Sequence, residues 1–256
     1  MTDEQIKGYF ARIGLTVPET LRPDGELLSR LTDAHTRAIA VENTDFLSGE
    51  LCPLETEALF DKIVVRGQGG VCLDLNGLFG ELLRSLGYEV QDVQATMYRF
   101  GENLSDLKHR ALLVTDCDGS RWWTDVGDDY STLRHPLPFV TDEPFEDNGG
   151  EFIFSREGEL YRLDYIVEGC CENSFEFADE PADTEIFSYY KEKANHPDSP
   201  FCSIPIFAIK LENGLLQLFG DNLISTIDGI KDVRRVGQDA LPLLYPMFGI
   251  VYKENE

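Results

Sequence analysis

At 256 residues the chain is long enough for one large unit or two to three packed lobes, and its 42% apolar content supports a sizeable core rather than wholesale disorder. A formal net charge of −25 repels nucleic acid and anionic lipid, which argues against nucleic-acid, membrane-surface and broad phosphate-binding roles. Two readings of the charge stay open, a highly solvated surface and a specific cationic partner.

The opening MTDEQIKGYFARIGL has no basic region followed by an apolar one, so no signal peptide is expected there. No run approaches the roughly 18 apolar residues of a membrane span. Cysteines at 52, 72, 117, 170, 171 and 202 form no CxxC pair and no regular framework, which points to reduced thiols and a cytoplasmic setting. The adjacent Cys170 and Cys171 hint at redox or metal chemistry, but burial as small hydrophobes is the expectation.

The first 85 or so residues read as helical. In ELLSRLTDAHTRAIA, Leu27, Leu28, Leu31, His35, Ala38 and Ile39 recur at three- and four-residue steps and share one helical face. LDLNGLFGELLRSLG carries a second stripe of Leu75, Leu78, Phe79, Leu82, Leu83 and Leu86, with Gly87 as its stop. From about residue 90 the pattern turns to strands. ALLVTDC and RWWTDVG flank Asp118–Gly119, EFIFSRE and LYRLDYIV flank Gly158, and IPIFAIKLE and LLQLFG flank Asn213–Gly214. Asp221–Asn222 then leads into LISTI, completing an antiparallel meander, with a short helix predicted for TEIFSYYKEKA between the strand groups. Pro242 and Pro246 argue against a long helix in the tail DALPLLYPMFGIVY. The order, helices first and antiparallel strands after, places the chain in the α+β class.

Cys72 follows Gly69 and Gly70 and opens the second of these helices. A thiol there faces unpaired N–H groups and the positive end of the helix dipole, which favour the reactive thiolate. The small residues before it permit a sharp bend and close approach of a substrate, and the N–H groups of the turn are candidates for an oxyanion hole. A structural cysteine packed under a Gly-rich turn fits the motif equally well. A nucleophile needs a base, and the base an orienting group. Of the four histidines, His35 lies on an apolar helix face and reads as a satisfied core or boundary residue. His135 and His196 precede prolines and have no obvious carboxylate partner. His109 stands just before the strand RALLVTDC, and Asp125 lies on the next strand, so a hairpin can bring the two together.

YFARIGL, AHTRAIAVEN around Glu42 and Asn43, GGVCLDLNGLFGELLRSLGYEV, HRALLV, TDVG and HPDSPF occur in an order that resembles the arylamine N-acetyltransferases over nearly the whole chain. The resemblance implies a helical N-terminal lobe (1–88), an antiparallel β-barrel middle lobe (89–182) and an α/β C-terminal lid (183–256) around a cysteine-protease-like triad core. It further implies that Cys72 takes an acetyl group from acetyl-CoA as a thioester, with His109 as base and Asp125 orienting it. An arylamine, hydrazine or hydroxylamine acceptor then receives the group in a ping-pong cycle, with no metal. Val71, Gly127, Asp128 and Phe201 stand where the acceptor is expected to bind.

Two departures stand out. Gln68 occupies the place of an arginine that would support Glu42, and Asp128–Asp129 replace an aromatic-containing pattern, so a pocket suited to a cationic acceptor is expected. No residues are singled out for CoA. Lys231, Arg234 and Arg235 form one compact basic cluster, read either as a phosphate contact or as a solvated face. Another acyl donor with the same chemistry (an amide synthase), a peptidase or transglutaminase using the same triad order, and a non-catalytic homologue are the competing functions. The oligomeric state is left open.

Overall fold

The computed structural model describes residues 1–147, 149–237 and 241–250, with the backbone alone for 105–107 and 241. The chain begins with α1 (Asp3–Arg12), closed by a capping box in which Thr2 Oγ1 accepts from Gln5 N and Gln5 Oε1 accepts from Thr2 N. Helix α2 (Gly25–Ala38) starts on Asp24, whose Oδ1 accepts from Leu27 N at 2.9 Å. It stops two residues before the predicted end because Ile39 turns extended and leads into a short strand, β1 (Val41–Glu42). After α3 (Thr44–Ser48) and α4 (Thr56–Phe60), a single π-helical turn (Asp61–Val65) brings the chain to Gly69–Gly70 and into α5 (Cys72–Ser85).

The predicted stripe of α5 is buried in full against Tyr9, Phe10, Leu28 and Leu31. Each such leucine contributes roughly 1.5–3 kcal/mol relative to exposure. This packing fixes where the first turn of α5 points.

His35 lies in the same core, 0% exposed, with Nδ1 and the Tyr9 hydroxyl 2.7 Å apart. Burial, helped by the charge of Arg12, pushes its imidazole down to about 3. The folded chain therefore keeps His35 neutral while the unfolded chain takes up a proton below about pH 6.5. This contribution is complete above that pH and declines as the pH falls toward 3, by about 1.4 kcal/mol per unit. Urea midpoints taken at pH 6.5 and 4.5 are expected to drop less in His35→Gln than in the parent. Equal drops would place the acid-sensitive group elsewhere.

Eight antiparallel strands follow: β2 (Glu89–Arg99), β3 (Glu102–Thr115), β4 (Arg121–Thr124), β5 (Leu137–Pro138), β6 (Pro144–Asp147), β7 (Gly150–Glu157), β8 (Leu160–Val167) and β9 (Cys170–Ala178). Their order is β5-β4-β3-β2-β9-β8-β7-β6. Leu137 on one edge strand and Phe145 on the other pack into one core with Trp123, Phe154, Phe175 and Phe177, so the sheet curls into a nearly closed barrel. The lid consists of α6 (Glu185–Ala194), α7 (Pro200–Ser203), the hairpins of β10 (Ile206–Leu211), β11 (Gly214–Phe219), β12 (Asn222–Ile227) and β13 (Ile230–Arg235), and a short α8 (Leu241–Leu244). β1 pairs with β10 through Val41–Ala208 and Glu42–Phe207, which sews the helical lobe to the lid sheet. The tail after α8 is one 3-10 turn, Tyr245–Phe248, so the described part of it contains no long helix; residues 238–240 and 251–256 lie outside the described residues.

Three expectations need correction. The lid turns fall one residue earlier than predicted, at Glu212–Asn213 and Gly220–Asp221, because Gly214 and Asn222 already pair within their strands. Cys170 and Cys171 are exposed rather than buried, since they leave the β8–β9 turn at the rim of the barrel. His196 does have a carboxylate neighbour, with Nδ1 3.6 Å from Asp198 Oδ2 on the surface. Among the described residues, no helix is long and apolar enough to cross a membrane.

Candidate active site

Cys72 is the first residue of α5, preceded by an extended Val71, and its side chain is half-buried. β3 brings His109 to it, and Asp125 follows β4, whose Thr124 pairs with Leu112 of β3. His109 Nε2 lies 2.5 Å from Asp125 Oδ2, and Cys72 is close enough to act on the same imidazole. Both His109 and Asp125 are nearly fully buried, and the imidazole packs on Phe175 with ring centres 4.7 Å apart. Burial alone would push the imidazole down, but the charges and hydrogen bonds of Asp125 and Cys72 outweigh it and hold His109 well above its ordinary range.

The second carboxylate oxygen of Asp125 is also fixed. Oδ1 accepts from Asn76 Nδ2 at 2.8 Å and from Gly127 N at 2.9 Å. Asn76 sits one helical turn beyond Cys72, donates to Arg110 O at 2.6 Å and accepts from Val126 N at 2.9 Å. It joins the nucleophile helix to β3 and to the segment that follows β4. Sequence reading missed it, although a polar residue four positions after Cys72, on the same side of a buried helix, was the available signal.

The candidate acceptor residues divide into two groups. Val71 is buried in a cluster with Phe46, Leu73 and Phe187, against which Cys72 and the half-buried Phe201 pack; Phe201 and Phe46 stand 5.3 Å apart. Gly127 lies directly against the nucleophile, where a Cβ would come 2.5 Å from Cys72 Cα. Asp128 does not present a free carboxylate. It is 3% exposed, and its oxygens accept from Ser131 N at 2.7 Å and Tyr130 N at 3.2 Å, bond the Ser131 hydroxyl, and meet Asn173 Nδ2 at 3.3 Å. Arg99, from β2, pairs with Asp129 at 2.8 Å and with Asp128 at 3.4 Å. Asp128 and Asp129 thus share one guanidinium, which the sequence reading did not connect to this loop and which offsets one of the two carboxylate charges.

Gln68 leaves Glu42 to other partners. Glu42 Oε2 accepts from Thr44 N at 2.6 Å, and Lys62 supplies a nearby positive charge. Arg66 instead faces outward onto Asp61 at 2.9 Å. Lys231, Arg234 and Arg235 all lie on the exposed strand β13, with Arg234 on Asp232 at 2.6 Å and Arg235 paired to Asp221, as a solvated face would be. Among the described residues, no three His, Cys, Asp or Glu side chains converge as a metal site.

Fold and site together define a class: a cysteine–histidine–aspartate constellation held where a nucleophile helix meets a β-barrel, under a sheet-bearing lid. The sequence pattern described as N-acetyltransferase matches residues 24–255. The chain belongs to the arylamine N-acetyltransferase family. It is 32% identical to the arylamine N-acetyltransferase of Mycolicibacterium smegmatis over 96% of this chain and 91% of that one. The solved arylamine N-acetyltransferase of Mycobacterium marinum in complex with CoA superposes with a TM-score of 0.87 at 27% identity, covering 96% of this chain and 92% of that one. An arylamine N-acetyltransferase from Bacillus cereus, described as having a Cys-His-Glu triad, superposes with a TM-score of 0.86 at 25% identity, over 98% of this chain and all of that one.

Proposed function

We propose that this chain is an acetyl-CoA-dependent arylamine N-acetyltransferase in which Cys72 carries the acetyl group. His109 takes the Cys72 proton, and the sulfur attacks the acetyl carbonyl carbon of acetyl-CoA. The carbon–sulfur bond to CoA breaks, and the imidazolium returns its proton to the departing CoA thiolate. The nitrogen of an arylamine, hydrazine or hydroxylamine then attacks the Cys72 thioester. His109 accepts the nitrogen proton and passes it to the leaving Cys72 sulfur, giving a ping-pong cycle. Asp125 orients the ring and stabilises the imidazolium.

The observation that most supports this reading is the 2.5 Å contact between Asp125 and His109 Nε2, which leaves the opposite ring nitrogen for the thiol. Val71, Gly127 and Phe201 form the acceptor wall nearest the sulfur, with Asp128 behind it as a structural anchor. A cytoplasmic setting and lobes dividing near 88/89 and 182/183 belong to the same proposal.

The test is intact-protein mass spectrometry after brief exposure to acetyl-CoA. One acetyl group is expected on the parent, none on Cys72→Ala, and loss of the group on adding an arylamine. An unlabelled parent whose Cys72 still alkylates faster than the other cysteines would reject acetyl-CoA and point to another acyl donor.

A further inference from the structure

Behind the turn that delivers Cys72, three buried charged side chains, Lys62, Asp74 and Lys191, meet the half-buried Asp45, each from a separate element. Asp74, the third residue of α5, is 1% exposed. Its Oδ2 accepts from Val71 N at 3.3 Å and from Lys62 Nζ at 3.1 Å, and its Oδ1 is paired with Lys191 of the lid helix α6. Lys62, from the π-helical turn, also reaches Asp45 Oδ2 of α3 at 2.6 Å, and Lys191 Nζ donates to Cys52 O at 2.6 Å. The Asp74 carboxylate is packed against the turn itself, since a Cβ on Gly70 would stand 2.8 Å from Asp74 Oδ2.

Lys62 and Asp74 hold each other in their charged forms. Burial would push the Lys62 amine down, but Asp74, Glu42 and Asp45 outweigh it and hold it above its usual range. Burial would push Asp74 up, but Lys62 and Lys191 hold it below the usual carboxylate range. Such a cluster is a weak source of net stability, because desolvation offsets most of its attraction. Its geometry is nevertheless specific: the carboxylate two residues after Cys72 is clamped from both sides, once from the helical lobe and once from the lid.

We propose that Lys62 and Lys191, meeting on Asp74, are positioning residues for acetyl transfer: they lock the turn 69–72 and so set where the Cys72 sulfur stands against His109. Lys191 makes that setting depend on the docking of α6, so lid and nucleophile are adjusted together. Lys62 thereby supplies, from another element, the positive charge that Gln68 does not. The inference rests on Cys72 being the acetyl carrier.

The experiment compares Lys191→Met, Lys62→Met and the conservative Lys191→Arg with the parent. Its readouts are the rate of Cys72 alkylation by iodoacetamide (followed by peptide mass spectrometry), the steady-state constants for acetyl-CoA, and the melting temperature. Displacing a reacting group by about 1 Å can cost about 100-fold in rate. Each Met variant is therefore expected to lose about 10- to 100-fold in both alkylation and kcat, with the KM for acetyl-CoA changed less than about twofold. Lys191→Arg is expected to recover most of the rate. Folded Met variants with the parent's alkylation rate and kcat would overturn the proposal. Should Lys191→Met fail to fold, Lys191→Met/Asp74→Asn removes that charge pair together, leaves Lys62 on Asp45, and carries the same two outcomes. Alkylation needs no acetyl-CoA, so a parent that fails to acetylate would count against the acetyltransferase reading and leave this comparison intact.

Discussion

Asp125→Asn is expected to lower kcat/KM for acetyl transfer by about 10³- to 10⁴-fold with little change in the fold. The reason lies in which atoms of Asp125 are already engaged. Oδ1 accepts from two donors, Asn76 Nδ2 and Gly127 N, while Oδ2 faces His109 Nε2. An asparagine amide has one acceptor oxygen and one donor nitrogen. The two fixed donors select the oxygen for the Oδ1 place, so the NH₂ group must point at His109. Nε2 then has to accept, and the ring proton moves to the nitrogen beside Cys72. A neutral imidazole in that tautomer cannot take the thiol proton, and the imidazolium loses its opposing charge. The hydrogen bonds to Asn76 and Gly127 survive, so the variant should melt near the parent. Quenched-flow acetylation of Cys72, read by mass spectrometry, measures the step directly. A loss under tenfold would mean that His109 reaches its working tautomer without Asp125.

The triad was legible because each member carries a local signal. Cys72 is announced by two glycines and the helix that follows; His109 and Asp125 are announced by β-prone runs flanking Asp118–Gly119, which the structure resolves as the β3–β4 hairpin. Local patterns report local partners, and the unread part of the site consists of distant ones. Asn76 finds Arg110, Asp125 and Val126 at separations of 34, 49 and 50 residues, and Lys191 finds Asp74 at 117. No period or turn signal encodes those meetings. The same limit hid β1, two residues long, whose place in the lid sheet is fixed by β10. It also left the setting of Asp128 unread. The sequence shows two adjacent carboxylates there but not Arg99, which arrives from the β2 strand to pair with both.

Gly127→Ala is expected to reduce kcat by about 100-fold and stability by about 1–3 kcal/mol, although it adds a single methyl group. The added carbon would stand 2.5 Å from Cys72 Cα and 3.1 Å from both Cys72 Cβ and Asn76 Nδ2. The closest of these is main chain at the start of a helix whose apolar stripe is buried along its length, so it cannot swing aside as a flexible side chain would. The strain must separate α5 from the loop 125–128, and that loop carries Asp125. Relief therefore widens the distance between the sulfur and the imidazole, or breaks the bonds from Gly127 N and Asn76 to Asp125. Either route reaches the chemistry without touching a reacting atom. Gly237→Ala is the control, because among the described residues no atom beyond its chain neighbours lies within 4 Å of its added carbon; its stability should stay within about 0.5 kcal/mol of the parent. Activity and urea midpoints for the two variants decide the matter. Parent-like turnover in Gly127→Ala would show that the loop yields without moving the triad; a loss confined to Gly127→Ala would place the tolerance for the sulfur–imidazole distance below the size of one methyl group.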